Sequence, residues 1–246
     1  MISRLDMAAD LSTSGLDFAS GQVAKSDQFG DSISLSSSVF SRPVGGPAKR
    51  LLDVCVALPA LLAALPVMIV IAVLIRFTTS GSVIFSHERV GYNGRTFPCY
   101  KFRTMVRDAD AVLTRHLMTD PAAAIEWRDT RKLRDDPRVT SLGRLLRKSS
   151  LDELPQLINI IRGDMSCVGP RPIMADELER YGENARDYLA ARPGLTGAWQ
   201  VTGRTTTDFP TRVSLDAHYV RNWSLFSDLA ILAKTPLAVV RTADAF

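Results

Sequence analysis

The chain has 246 residues, 46% hydrophobic and 23% charged, and its 30 Lys+Arg exceed its 26 Asp+Glu for a formal charge of +4. That length and apolar content suit one or two folded domains and exclude collagen-like, wholly disordered and disulfide-scaffold proteins. Cys55, Cys99 and Cys167 lie too far apart for a zinc ribbon or a CxxC redox pair and read as reduced packing thiols.

Residues 1–48 contain eleven serines and carry three basic against five acidic residues, so the remaining 198 residues hold a net charge of +6. With little periodicity, and with Gly45 and Gly46 near its end, this stretch reads as a disordered N-terminal extension. Between Asp53 and Arg76 lie 22 consecutive uncharged residues, all apolar apart from Pro59 and Pro66. As a helix this run is about 33 Å long, enough for a hydrocarbon core of about 30 Å. It begins too far into the chain, and lacks the cleavage site, for a signal peptide. Each proline withdraws a backbone donor and pushes on the preceding turn, so a kink is expected. Both flanks are basic, with Lys49 and Arg50 before the run and Arg76, Arg89, Arg95, Lys101, Arg103 and Arg107 after it. A segment that dips into the bilayer and returns keeps both flanks in the cytoplasm; a straight span keeps only the richer one there. The re-entrant form over 49–77 is the expectation.

Short β-rich runs, Val83–Phe85 and Thr96–Phe102, flank the turn Gly91-Tyr92-Asn93-Gly94 and predict a hairpin. Residues 107–128 read as a helix, and Asp135-Asp136-Pro137 breaks the chain. Leu142–Leu146, Leu151–Ile161, Glu177–Ala191 and the amphipathic Leu225–Val240 read as further helices. The mixture predicts a helix-rich α+β domain over 78–246 lying against a membrane.

Ser150-Leu151-Asp152-Glu153 has the spacing of a helix-capping box, with Ser150 as cap and Glu153 reaching back. The same geometry sets Asp152 in the first turn, where free N–H groups and the helix dipole favour an anion able to act as nucleophile or metal ligand. Arg138, Arg144, Arg147, Lys148 and Arg162 crowd nearby, as a solvated face or as charge neutralisation for a diphosphate. Pro170 and Pro172 fix the backbone on either side of Arg171, either aiming its guanidinium or simply ending a turn. Asp108-x-Asp110 falls in a predicted helix, where residues two apart face different ways and cannot share a metal ion. His87, His116 and His218 are scattered, and neither a P-loop nor a G-x-G-x-x-G is present. The basic excess lacks the aromatic interleaving of a nucleic-acid surface, so no nucleic-acid partner is expected.

From Lys49 to about Arg241 these residues resemble the bacterial monotopic phosphoglycosyl transferases, the polyprenyl-phosphate hexose-1-phosphate transferases. The resemblance rests on Lys49-Arg50-x-x-Asp53, ERVGYNGRTFPCYKFRTM (88–105), DDPRVTSLGRLLRKSSLDELPQL (135–157), GDMSCVGPRP (163–172), RPGLTGAWQVTGR (192–204) and LDAHYVRNWSLFSDLAIL (215–232). The chain is most similar to short members that initiate rhizobial exopolysaccharide, several of which transfer galactose 1-phosphate. The resemblance implies a re-entrant helix kinked at Pro66, a small cytoplasmic-face catalytic domain on the bacterial inner membrane, and interfacial amphipathic helices. Leu65 stands where the family often has a serine before the kink proline, and Gly81-Ser82 where it often has Gly-Pro.

It further implies that Asp152 attacks a UDP-sugar, expelling UMP to give an aspartyl-phosphosugar, which undecaprenyl phosphate then resolves. Glu153 would help hold Mg²⁺, and Lys101, Arg147, Arg171 and Arg204 would contact phosphate. Implied partners are the UDP-sugar, undecaprenyl phosphate, membrane lipid and the downstream glycosyltransferases of a polysaccharide pathway. Two other readings stay open on the sequence: a single-displacement glycosyltransferase releasing UDP, and a non-enzymatic scaffold of an export complex.

Overall fold

A computed structural model describes residues 40–130, 132–203 and 208–243. The Ser-rich extension expected over 1–48 lies outside the described residues as far as residue 39, as does Arg204. The chain divides between Ser41 and Arg42, and the elements below all belong to the second unit.

Gly45, in the left-handed region at φ 80°, turns the chain into α1, Gly46–Thr78, whose first turn contains Pro47. The helix spans 33 residues, about 50 Å, and continues through Pro59 and Pro66. Lys49, Asp53, Ala57, Met68, Ile71 and Ile75 form its buried stripe, with Leu61 and Ala64 half-buried between them. Leu62, Ile69, Val70 and Phe77 stand exposed on other faces, and the helix is long and apolar enough to cross or enter a membrane. Both prolines lie on the exposed side.

The N-terminal half of α1 is pinned by polar contacts. Lys49 Nζ lies 2.6 Å from Asp228 Oδ2 and donates to the Tyr219 hydroxyl at 2.9 Å. Arg50 donates to the carbonyls of Ile160 (2.5 Å) and Ile161 (2.6 Å), at a helix C-terminus that favours a cation. Asp53 Oδ1 accepts from Ser166 Oγ and from the Cys167 N–H, each at 2.8 Å.

The expected hairpin forms as β1 (Ile84–Val90) and β2 (Thr96–Phe102), antiparallel, with Ile84 opposite Phe102 and Val90 opposite Thr96. Asn93 (φ 56°) and Gly94 (φ 77°) both take the left-handed conformation that closes it. The single helix expected over 107–128 is instead two, α2 (Ala109–Thr119) and α3 (Pro121–Thr130). Pro121 lacks the N–H to continue α2 and starts α3, whose free amides at Ala122 and Ala123 donate to Asp120. Helix α4 (Ser141–Lys148) is capped by Thr140, whose hydroxyl accepts from the Gly143 N–H. A Cβ on Gly143 would strike the Thr104 carbonyl oxygen, so only glycine lets α4 lie this close to the segment after β2.

The helix expected over Leu151–Ile161 is also two pieces, a 3₁₀ turn at Leu151–Glu153 and α5 at Gln156–Arg162. Pro155, without an N–H, sits between them. β3 (Ser166–Val168) pairs in parallel with β4 (Gly194–Thr196). Between them, Glu177–Ala191 is not one helix but α6 (Ala175–Glu179), a 3₁₀ turn at Gly182–Asn184 and α7 (Ala185–Ala190), interrupted at Gly182 (φ 53°). α8 (Ala198–Gly203) and α9 (Phe209–Arg221) follow, unanticipated by the sequence reading, then α10 (Leu225–Ala243). α10 buries Asp228 and Ile231 and exposes Leu225, Phe226, Leu229 and Leu237, as an interfacial helix requires.

Two apolar clusters hold the unit together. One joins Ala57 to Phe97, Leu157, Ile160, Met165, Val168 and Tyr219. The other joins Met68, Ile71 and Ile75 of α1 to Phe102 and Leu146, with Leu151 and Leu154 packed against it. The architecture is helix-rich α+β with small sheets, as expected.

Candidate active site

Residues from β2, α4, the 3₁₀ turn, the loop before α6, and α8–α9 surround a cleft of about 1020 Å³. Nine Lys or Arg side chains and four Asp or Glu side chains border it, so its field favours an anion. Asp152, Glu153, Lys101, Arg147 and Arg171, separated by up to 70 residues in sequence, all reach this cleft. Arg138 joins them; Arg144, Lys148 and Arg162 do not line it. Arg162 instead donates to the Tyr100 hydroxyl and pairs with Asp164 at 3.5 Å.

Asp152 is 7% exposed and sits in the 3₁₀ turn. The capping box expected there does not form. Ser150 takes the left-handed conformation at φ 55° and makes no side-chain cap bond. Glu153 turns away from the helix start to meet Lys101 Nζ at 2.7 Å. The same ammonium lies 3.9 Å from Asp152 Oδ2. A serine in this region is strained, and such strain is characteristic of residues that aim a neighbouring functional group. The turn is supported from below by Leu151 and Leu154 on the second apolar cluster, and so by α1.

Burial pushes the Asp152 carboxyl above its usual range; Lys101 opposes the shift, Glu153 adds to it, and Arg147 opposes it. The outcome is a carboxylate more basic than an exposed one, yet flanked by cations that favour its ionised form. Arg147 is fixed by donating from Nε to Thr104 Oγ1 at 3.0 Å, a contact that depends on the close approach at Gly143. Arg171 stacks over Trp199, 5.9 Å from its ring centroid. Of the D-x-D pair, Asp108 is the cap residue of α2, whereas Asp110 borders the cleft. Among the described residues no group of three or more His, Cys, Asp or Glu is placed to hold a metal ion.

Residues 44–242 match the family described as bacterial sugar transferase. This chain belongs to that family. The chain is 55% identical over 198 residues to the exopolysaccharide production protein ExoY of Sinorhizobium fredii, covering 80% of this chain and 88% of the relative. It is 50% identical over 198 residues to the undecaprenyl-phosphate galactose phosphotransferase of Salmonella typhimurium, covering 80% of this chain and 41% of that longer protein. It is 37% identical over 210 residues to the undecaprenyl-phosphate glucose phosphotransferase of Komagataeibacter xylinus, covering 80% of this chain and 37% of that protein. As a family member the chain is a transferase, and the matched region contains every described site residue.

The sequence reading missed Arg89, Arg103 and Arg212, which also border the cleft. Before the resemblance it read Lys49 and Arg50 only as a basic flank and gave Asp53 no role, although these three side chains dock α1 on the domain.

Proposed function

We propose that this chain transfers a hexose 1-phosphate, galactose or glucose, from a UDP-sugar to undecaprenyl phosphate and so opens exopolysaccharide synthesis. The observation that carries the reading is Asp152, almost buried, facing a cation-lined cleft and neighboured by Lys101. An Asp152 oxygen attacks the β-phosphorus of the donor. The phosphorus–oxygen bond to the bridging oxygen breaks, and UMP leaves with that electron pair. A phosphate oxygen of the lipid then attacks the aspartyl-phosphosugar, forming the diphosphate and returning the carboxylate. Two displacements let one cleft serve a soluble and a lipid-borne substrate in turn.

Lys101, Arg147 and Arg171 hold phosphate oxygens, with Arg204 assigned to the same task by motif position. Asp152 and Glu153 offer hard oxygen donors, and Mg²⁺ is commonly bound by one or two carboxylates together with substrate phosphates, so the pair fits such an ion. When bound, Mg²⁺ would neutralise diphosphate charge and stabilise the leaving UMP, with Glu153 as its ligand. The cytoplasmic face of the inner membrane is the setting we assign. Support comes from α1: Lys49 at one end and Ile75 at the other pack on the same folded unit, as a helix that enters and leaves by one membrane face must.

Intact-mass spectrometry of detergent-purified protein with Mg²⁺ and a panel of UDP-sugars, without lipid, tests the reading. The expected result is a hexose-phosphate adduct accompanied by UMP and absent in Asp152→Asn. UDP release that requires lipid, with no adduct, sinks it in favour of single displacement; an active Asp152→Asn sinks the nucleophile assignment.

A further inference from the structure

The wall of the cleft built by α8 and α9 carries a second cationic group that the chemistry above leaves unused. Arg212 lies over the Trp199 ring at 4.9 Å from its centroid and over Phe209 at 5.6 Å. Arg171 lies over the same indole at 5.9 Å. One aromatic ring thus holds two guanidiniums whose mutual repulsion opposes their approach, in a cleft already rich in positive charge. Neither makes an ion pair with a carboxylate among the described residues. The carboxylate behind them, Asp216, is 2% exposed, with Oδ1 unpartnered and Oδ2 accepting from the Tyr181 hydroxyl at 3.4 Å. Burial pushes its carboxyl up to about 7, against the pull of Arg212 and of the Arg171 N–H. A guanidinium held against an aromatic face can still direct N–H groups at phosphate oxygens, and the buried Arg212 Nε–H has no partner among the described residues.

We infer that Arg212 and Arg171, on the platform of Trp199, clamp a phosphate group, and that this group belongs to the diphosphate of the nucleotide donor. The inference rests on the UDP-sugar assignment above. The source of the phosphate follows from the two approaches to the cleft. Phe85 and Arg103 border it, Arg103 donating to Ser82 just after α1, and with exposed Ile84 beside Phe85 this apolar approach suits a lipid-borne phosphate. The Trp199–Arg212 wall carries the paired guanidiniums that the greater charge of a diphosphate requires.

The test is calorimetric binding of UDP and of uridine to the full-length protein in detergent without lipid, with the KM for undecaprenyl phosphate measured in parallel. Arg212→Gln should weaken UDP binding roughly 10- to 100-fold, as loss of a charge-assisted phosphate contact does. Uridine affinity and the lipid KM should stay at wild-type values, and Arg212→Lys should recover part of the UDP affinity. Equal loss of uridine affinity overturns the clamp, because a contact to the base or a collapsed fold then explains the loss. Unchanged UDP binding in Arg212→Gln overturns it too, and a rise in the lipid KM alone would give the phosphate to the acceptor. If wild-type protein binds no UDP, the donor assignment fails first and the clamp with it.

Discussion

The Lys101 ammonium is shared between neighbours: it lies 2.7 Å from Glu153 Oε1 and 3.9 Å from Asp152 Oδ2. A single cation from β2 therefore ties together the two carboxylates of the 3₁₀ turn and opposes the effect of burial on Asp152. Removing it with Lys101→Met leaves burial and Glu153 to act with less opposition, so the Asp152 carboxyl rises further. Because the proposed mechanism uses the ionised form as the nucleophile, the acid limb of the kcat/KM profile should move to higher pH. The position of that limb, not the overall loss of rate, is the diagnostic; an unmoved or acid-shifted limb contradicts the coupling.

Asp152→Asn should lower turnover by roughly 10³-fold or more, as loss of a nucleophile does. The same variant should melt higher than wild type at pH 8. A carboxyl raised by burial favours folding while protonated, and that stability is lost as pH rises through its folded pKa. The difference in Tm should therefore shrink as the pH is lowered and Asp152 takes up its proton. A constant difference across this range argues against a raised Asp152.

Glu153→Gln keeps the size of the side chain but removes its charge. The Mg²⁺ concentration that gives half-maximal rate should rise, roughly 10-fold for loss of one charged ligand. An unchanged magnesium titration removes Glu153 from the metal.

Lys49 and Asp228 form a buried ion pair at 5% and 0% side-chain exposure. Lys49→Met strands the Asp228 charge and should cost about 3–5 kcal/mol, which for a domain of this size lowers Tm by roughly 6–20 °C. The double variant Lys49→Met/Asp228→Leu should recover part of that loss. Equal Tm for the single and double variants would show that the stranded charge is not the cause.

Gly143→Ala places a methyl against the Thr104 carbonyl and should cost about 1–3 kcal/mol through overpacking. It should also reduce kcat, because moving α4 pulls Arg147 from Thr104. A variant with normal Tm and rate would mean that the helix shifts without consequence.

Local signals were legible where one stretch of sequence decides the outcome. The apolar run specified α1, the Gly91–Gly94 turn specified the hairpin, and β2 falls on the predicted Thr96–Phe102. Asp152, Glu153, Lys101, Arg147 and Arg171 do meet, although only the resemblance to a family linked Lys101 and Arg171 to the others beforehand. The three-residue strands β3 and β4 were hidden because each is too short for a periodicity and pairs across the intervening helices. Ser150 was misread because the capping-box spacing is the same whether or not its backbone is helical. Lys101, on a distant strand, captured Glu153 instead. Pro121 and Pro155 were the available signs that two of the predicted helices were each split. Arg212 gave no local sign at all: its meaning comes from Trp199, on another helix.

The floor beneath Asp152 is made of α1 itself. Leu151 and Leu154 of the catalytic turn rest on the cluster that Met68, Ile71 and Ile75 complete. A soluble enzyme cannot be obtained by cutting after residue 78, since the cut would leave Phe102 and Leu146 facing water and the nucleophile on an unsupported loop. On the proposed function, catalysis is thereby tied to the bilayer surface: the helix apolar enough to enter a membrane and the turn that holds Asp152 are a single piece of packing.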